Sequence, residues 1–391
     1  MFQPKANLMI IQKAKEIKPF IVMEVLEKAA EMESRGIDVI HMEVGEPDFD
    51  VPVCVSEAVE QAFKEGRTHY THSMGDPELR EEIANRYLKD YGVKVSPNQI
   101  IVTSGSSPAI LLTLGVLCDC EDEVIISDPG YACYQNFIRF VNAKPVKVPV
   151  YEEDGFQYRP EEIANRITAK TKAIMINSPM NPTGNILSSQ VMKELTQFNI
   201  PIISDEIYHG LVYVKRAHSI LEFSENAFVL NGFSKLYAMT GLRLGYVIAP
   251  EECVRPMQKL QQNLFICAGS TAQRAGIAAL RLAGEDVKRM RITYDERRKY
   301  LIKRLTQLGF KIKVPPTGAF YIFVNTKHLS SDSYKLAFDI LEKAHLGVTP
   351  GTDFGENGEG FIRFSYANSL DNIKEGMNRL ENYLNQTLFP V

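Results

Sequence analysis

Six short runs in this chain are apolar and largely β-branched from end to end: Ile100–Thr103, Val124–Ser127, Ala173–Ile176, Ile200–Ser204, Phe228–Leu230 and Tyr246–Ile248. A strand with one wet face alternates polar and apolar side chains. A strand that is apolar throughout needs cover on both faces. Helical patterns at Pro108–Leu117, Tyr131–Phe140 and Ser188–Phe198 lie between the runs and can supply that cover. The alternation predicts an α/β fold, with a mostly parallel sheet flanked by helices. No helical pattern fits between the Phe228 and Tyr246 runs, so one of that pair is expected to run antiparallel.

Before the first run, residues 19–35 carry apolar positions Phe20, Met23, Val25, Leu26, Ala29, Ala30 and Met32, roughly a helical stripe. Beyond about Gly284 the character changes. A long charged helical pattern at Asp286–Leu308 is followed by a strand-like Ala319–Val324, a helix near Ser333–Lys343, a strand at Gly360–Ser365 and a last helix. The expected division is a large domain over 47–285 and a smaller α+β domain over 286–391, with residues 1–46 packing on the smaller one. The glycine-rich stretch Asp353–Gly360 lacks the spacing of a calcium loop and reads as a mobile surface loop.

Composition narrows the class of function. The 391 residues include 44 basic and 48 acidic side chains, a net charge of -4, which supplies no basic field for nucleic acid. No window approaches the length of uncharged apolar sequence that a membrane helix needs, and Met1–Lys18 lacks the apolar core of a signal peptide. The six cysteines are scattered, with no zinc-like pairing, and read as small buried hydrophobes in a reducing compartment. His69 and His72 are three apart with no third ligand nearby, too little for a metal site. The expectation is a cytoplasmic enzyme.

In open α/β sheets, ligands bind beyond the carboxyl ends of the strands. Here the strands are followed in turn by Ser104-Gly105-Ser106-Ser107-Pro108, Asp128-Pro129-Gly130-Tyr131, Asn177-Ser178-Pro179-Met180-Asn181, Asp205-Glu206-Ile207-Tyr208 and Gly232-Phe233-Ser234-Lys235. One polar loop is ordinary turn chemistry; five on one edge make a site. Small residues opening a helix at Gly105–Pro108 suit a phosphate, or are simply an N-cap. The same segment is close to the nucleophile elbow of hydrolases, which would make Ser107 a serine nucleophile, but its fifth position is Ala109 rather than glycine. A lysine placed directly after a buried strand, as Lys235 is, can be desolvated and so primed to form a Schiff base.

Asn181-Pro182-Thr183-Gly184, Ser204-Asp205-Glu206-Ile207-Tyr208 and Ser234-Lys235 followed by Met239-Thr240-Gly241-Leu242-Arg243-Leu244-Gly245 resemble the signatures of class I aminotransferases, pyridoxal-phosphate enzymes of fold type I. The resemblance runs from Gly45-Glu46-Pro47-Asp48-Phe49 to Phe361-Ile362-Arg363-Phe364-Ser365, in the branch of aspartate, alanine and aromatic aminotransferases. It implies pyridoxal 5'-phosphate held as an aldimine on Lys235, which then moves the proton between substrate and cofactor in a ping-pong exchange. It further implies that Asp205 pairs with the pyridine nitrogen, that Tyr208 and Asn181 donate to the phenolate oxygen, and that Tyr131 stacks on the ring. Arg243 would bind the phosphate with Gly105, Ser106, Ser107 and Ser234, while Gly232 stands where many relatives carry a phosphate-binding serine. Arg363, with Gly45 and Asn181, would take the substrate α-carboxylate. Tyr70 would cross to the phosphate of a partner subunit, so a homodimer is implied.

Amino acid and 2-oxo acid substrates follow from the resemblance. A lyase or decarboxylase of the same fold shares this chemistry and is the alternative; a serine hydrolase using Ser107 is a remote one. A non-catalytic regulator would need a DNA-binding domain ahead of the fold, where only about 45 residues precede Gly45. Aspartate-preferring relatives often carry a Gly-Gly-Lys pattern in the phosphate loop. This chain reads Gly105-Ser106-Ser107 there, and neutral donors are expected over aspartate.

Overall fold

The computed structural model describes residues 19–214 and 216–388, together with Ile11, Ala14, Lys15 and Ile17. The expectations that fall on residues 1–10 lie outside the described residues. Helix α1 (Ile21–Ser34) is followed by the short strand β1 (Ile40–His41). Strands β2 (Ile100–Thr103), β3 (Glu123–Asp128), β4 (Lys144–Pro149), β5 (Thr171–Asn177), β6 (Ile202–Asp205), β7 (Ala227–Gly232) and β8 (Gly245–Ile248) form one sheet in the order β2-β8-β7-β6-β5-β3-β4. Every residue of β2, β6, β7 and β8 is buried, which is why these runs read as apolar throughout.

β8 pairs antiparallel with both β7 and β2, while the pairs from β7 to β4 are parallel. The antiparallel member expected between Phe228 and Tyr246 is therefore β8. Its reversed direction places its first residue, Gly245, opposite both Thr103 and Gly232, the last residues of β2 and β7. One edge thus collects the carboxyl ends of β2, β5, β6 and β7, the start of β8, and the first turn of helix α2 (Ser106–Leu117). Edge strand β4 gives no apolar run in the sequence. Its Lys-Pro-Val-Lys-Val-Pro sequence is broken by lysine and proline, and among the described residues it pairs with β3 alone, an edge position where both are tolerated.

A second sheet, β11-β12-β9, is antiparallel and built from β9 (Tyr321–Asn325), β11 (Thr349–Pro350) and β12 (Phe361–Ser365). β10 (Leu346–Gly347) pairs in parallel with β1, tying residues 40–41 to the C-terminal part of the chain. Val25, Ala29 and Met32 of α1 share a small core with Val39 and Leu341.

Two expectations are corrected. Asp353–Gly360 is packed rather than a mobile surface loop: 3₁₀ turns cover Gly351–Phe354 and Glu356–Gly358, with Asp353, Phe354 and Gly358 buried. The Asp128 carboxylate accepts the Asn357 N–H at 3.2 Å and its side-chain amide at 3.1 Å, and a Cβ at Gly355 would collide with that carboxylate. The glycines permit close approach there, not mobility. The cysteines are free but not core residues; Cys120 is exposed and the other five are half-buried. No helix among the described residues is long and apolar enough to cross a membrane.

Candidate active site

β5 and β6 end side by side, with Asn177 in register with Asp205. The Asn177 amide donates to the Asp205 backbone carbonyl at 2.9 Å, and its side-chain oxygen accepts the Asn181 N–H at 2.8 Å. Asp205 is buried; Oδ2 accepts from Tyr134 at 2.6 Å and Oδ1 from the Ile207 N–H at 3.1 Å. Burial raises its carboxyl pKa to about 6, against the opposing pull of the Tyr134 hydrogen bond.

Lys235 lies three residues past β7, and its Nζ donates to the Gly45 carbonyl at 2.7 Å. The side chain retains some exposure, yet protein packs closely around the amine. That desolvation lowers its pKa to about 8, helped by Arg363 and Arg243 and opposed by Glu46 and Asp205. A Cβ at Gly45 would collide with the Tyr321 hydroxyl, so a side chain there would disturb both lysine and tyrosine. The Tyr321 hydroxyl is 2.9 Å from that of Tyr208.

Arg363, on β12, is 2 % exposed. Its Nη1 donates to Asn181 Oδ1 at 2.9 Å, and Nη2 to the Glu43 carbonyl at 2.5 Å and to Thr349 Oγ1 at 3.1 Å. The guanidinium lies 4.3 Å from the Tyr321 ring centroid and 4.9 Å from that of Phe354. Its Nε is buried and, among the described residues, has no protein partner, the state of a donor left for a ligand or a water.

Gly105, at φ 95°, caps α2 without a side chain, so nothing from the cap covers the first turn. A Cβ there would meet the Arg243 guanidinium, and one at Gly245 would meet the backbone of Gly105 and Ser106. Two glycines thus let the β2–α2 turn, the start of β8 and Arg243 converge. Gly232 faces the same crowding: a Cβ would lie 3.0 Å from the Leu244 carbonyl oxygen and 3.2 Å from Gly245 Cα.

Of the residues the resemblance assigns to cofactor or substrate, Gly45, Ser106, Ser107, Tyr131, Asn181, Asp205, Tyr208, Ser234, Lys235, Arg243 and Arg363 line one cavity of about 350 Å³, while Gly105, Gly232 and Tyr70 do not. Gly105 is buried beside the Arg243 guanidinium, and Tyr70 is 80 % exposed outside the cavity. The Tyr131 ring meets Tyr134 edge-on at 5.1 Å and Phe20 at 6.1 Å. Among the described residues no histidine lines the cavity, so Ser107 has no imidazole beside it to act as a base.

Several site residues went unrecognised in the sequence. Tyr134 is one turn from Tyr131, and that spacing was a usable signal. Asn177 opens the loop after β5, and nothing in the sequence distinguishes it from an ordinary turn asparagine. Tyr321 sits in an apolar strand run and reads as core. Thr349 and Phe354, on Arg363, carry no local signal, while Glu46 and Thr240, joined by a 2.5 Å hydrogen bond from Thr240 Oγ1, lie inside motif segments without a role readable there.

A desolvated lysine and a buried carboxylate beyond adjoining strand ends, a helix start beside one arginine and a second arginine buried in the same cavity define an α/β enzyme for a small anionic substrate. The family model described as aminotransferase class I and II matches residues 37–380, and the chain belongs to that family. It is 42 % identical over 383 residues to a (5-formylfuran-3-yl)methyl phosphate transaminase of Methanocaldococcus jannaschii, covering 97 % of this chain and 100 % of the relative. It is 40 % identical to an aspartate aminotransferase of Pyrococcus horikoshii, covering 97 % and 98 %. The crystal structure of Thermus thermophilus aspartate aminotransferase with maleate superposes with a TM-score of 0.92 at 34 % identity, covering 96 % and 99 %. The fold is that of these aminotransferases, and the chain is an enzyme of the same kind.

Proposed function

We propose that the enzyme uses pyridoxal 5'-phosphate to move an amino group from an L-amino acid to a 2-oxo acid. The single observation that carries this reading is Lys235, with its depressed amine pKa, sharing a cavity with Asp205 and Arg363. The donor set fits the cofactor. A glycine-capped helix start with Ser106, Ser107, Ser234 and Arg243 suits a phosphate. Asp205 suits a protonated ring nitrogen, and the hydroxyl of Tyr208 with the amide of Asn181 suits a phenolate. When bound, the cofactor supplies an electron sink for the charge released at the substrate Cα.

The chain's own groups do the rest. Arg363 holds the substrate α-carboxylate, with Tyr321 and Phe354 flanking its guanidinium and Asn181 fixing one arm. Lys235 Nζ, near 8 in pKa, is able to accept and return the Cα proton close to neutral pH. The Asp205 carboxylate, fixed by Tyr134 and the Ile207 N–H, holds negative charge where the ring nitrogen requires it. Tyr131 covers the ring. Tyr70 serves the phosphate of a partner subunit in a homodimer, in the cytoplasm, with 47–285 as the large and 286–391 as the small domain.

The test is stoichiometric. Purified enzyme with the cofactor, given amino acids and pyruvate or 2-oxoglutarate, should exchange the amino group, and borohydride should fix the cofactor on Lys235. Release of ammonia or carbon dioxide would reassign the reaction to a lyase or decarboxylase.

A further inference from the structure

We infer that the start of α1 forms the wall met by the substrate's side chain, and that the preferred donors are amino acids with bulky apolar or aromatic side chains. This rests on the aminotransferase reading and adds the substrate class to it. Phe20, Met23 and Leu26 are spaced three apart and line the cavity together. The other face of the same helix, Val25, Ala29 and Met32, is spent on the core with Val39 and Leu341. Helix α1 is therefore apolar on two faces, and among the described residues one is packed into a core cluster while the other is only partly covered, Phe20 by Tyr131. Met23 is 46 % exposed although it lines a cavity, a flexible apolar surface left open.

This wall is fastened beside the arginine assigned to the α-carboxylate. The Asp353 carboxylate accepts the N–H groups of Ile21 and Val22 at 2.9 and 3.3 Å, and the next residue, Phe354, lies against Arg363. A substrate held by Arg363 thus has the α1 face within the same small cavity.

Charge points the same way. Among the described residues the only cations lining the cavity are Lys235, Arg243 and Arg363, and each already has a different group to meet. The remaining charges are Asp205 and, at an exposed position, Glu46. Among the described residues of the subunit that holds it, a second substrate carboxylate would find no free cation and would face a like charge, an expensive state in a partly dry site.

Two measurements on the cofactor-loaded enzyme decide this. Calorimetry should show 3-phenylpropanoate, which cannot react, binding at least tenfold more tightly than succinate. Single-turnover bleaching of the cofactor absorbance should be at least tenfold faster, per unit concentration, for L-phenylalanine or L-leucine than for L-aspartate or L-alanine. Leu26→Arg should shift the phenylalanine-to-aspartate ratio at least tenfold toward aspartate, and Met23→Arg, at an exposed position, is the second variant should Leu26→Arg not fold. Equal or tighter binding of succinate, aspartate as the fastest donor, or alanine matching phenylalanine would overturn the inference while leaving the aminotransferase reading intact. Bleaching by no amino acid at all would overturn that reading, and the calorimetry would still decide the character of the wall.

Discussion

Arg363 and Asn181, 182 positions apart in sequence, meet through a 2.9 Å hydrogen bond inside the cavity. The bond ties the loop after β5 of the seven-stranded sheet to β12 of the three-stranded sheet, at the point where the α-carboxylate is proposed to bind. Each of the two end nitrogens of the fork has a partner, so the guanidinium plane is fixed before any substrate arrives. Arg363→Lys keeps the charge but loses the fork and strands the Asn181, Glu43 and Thr349 acceptors. KM for both the amino and the oxo substrate should rise roughly a hundredfold, about 2–3 kcal/mol for a lost charge-assisted pair, with a smaller change in kcat. Steady-state kinetics of both half-reactions would show it; an unchanged KM would remove Arg363 from carboxylate binding.

The depressed pKa of Lys235 gives a linked pair of pH effects. An ordinary lysine titrates at 10.5 and this one at about 8, so capture of pyridoxal phosphate by the free protein should rise with pH and level off above about 8. Between those two values the unfolded chain binds more protons than the folded one, and stability therefore rises with pH across that window. Below it the buried ammonium is a standing cost. Lys235→Met should accordingly be more stable than the parent protein near neutral pH, with the difference closing as pH approaches 10.5. Urea unfolding across this range measures it, and a constant difference would mean that the amine is not desolvated.

His41 carries the opposite sign. Its Nδ1 lies 2.6 Å from Glu43 and its Nε2 3.1 Å from Glu33, and the Glu43 hydrogen bond raises the imidazole pKa to about 9 against the desolvation that lowers it. A histidine with a raised folded-state pKa contributes stability that is fully present below about 6.5 and is lost as pH rises through about 9. The destabilisation caused by His41→Gln should thus be largest at about pH 6 and nearly absent at about pH 10. Since the Glu43 carbonyl also accepts from Arg363, KM should rise with pH over the same interval in the parent protein and stay flat in the variant.

The large sheet was legible in sequence because burial on both faces leaves apolar runs, and the strand-end residues Lys235, Asp205 and Asn181 were legible through their motifs. What stayed hidden had no local mark. Strand β4 carries two lysines and two prolines because it is an edge. Tyr321 and Phe354 look like core residues in sequence, and only the fold shows that they flank a charge. Glu206 illustrates the converse: it sits inside the Ser204–Tyr208 motif but points away from the cavity. There it accepts from Ser219 at 2.9 Å, the Ile220 N–H at 3.0 Å and Ser204 at 3.2 Å. The motif therefore carries a residue for the site and another for the packing behind it. Asp353–Gly360 misled for a related reason, since glycines that permit close approach look in sequence like glycines that permit motion.

Tyr70 supplies the last prediction. Its side chain is 80 % exposed and lies outside the cavity of its own chain, although the proposed role puts its hydroxyl on a cofactor phosphate. A large aromatic left that exposed is unusual unless another surface covers it. If it acts across a two-fold axis, a defect in Tyr70 and a defect in Lys235 fall in different sites when carried by different subunits. Tyr70→Ala and Lys235→Ala should each lose most or all activity as pure proteins. Mixed after dissociation and reassociation, half of the dimers are hybrids. In each hybrid one site carries both defects and the other carries neither. Activity should therefore recover to about a quarter of the unmodified enzyme's value. The Lys235→Ala subunit supplies its intact Tyr70 to a site that holds an intact Lys235. Recovery far below that level in verified hybrids would mean that Tyr70 serves its own subunit or none.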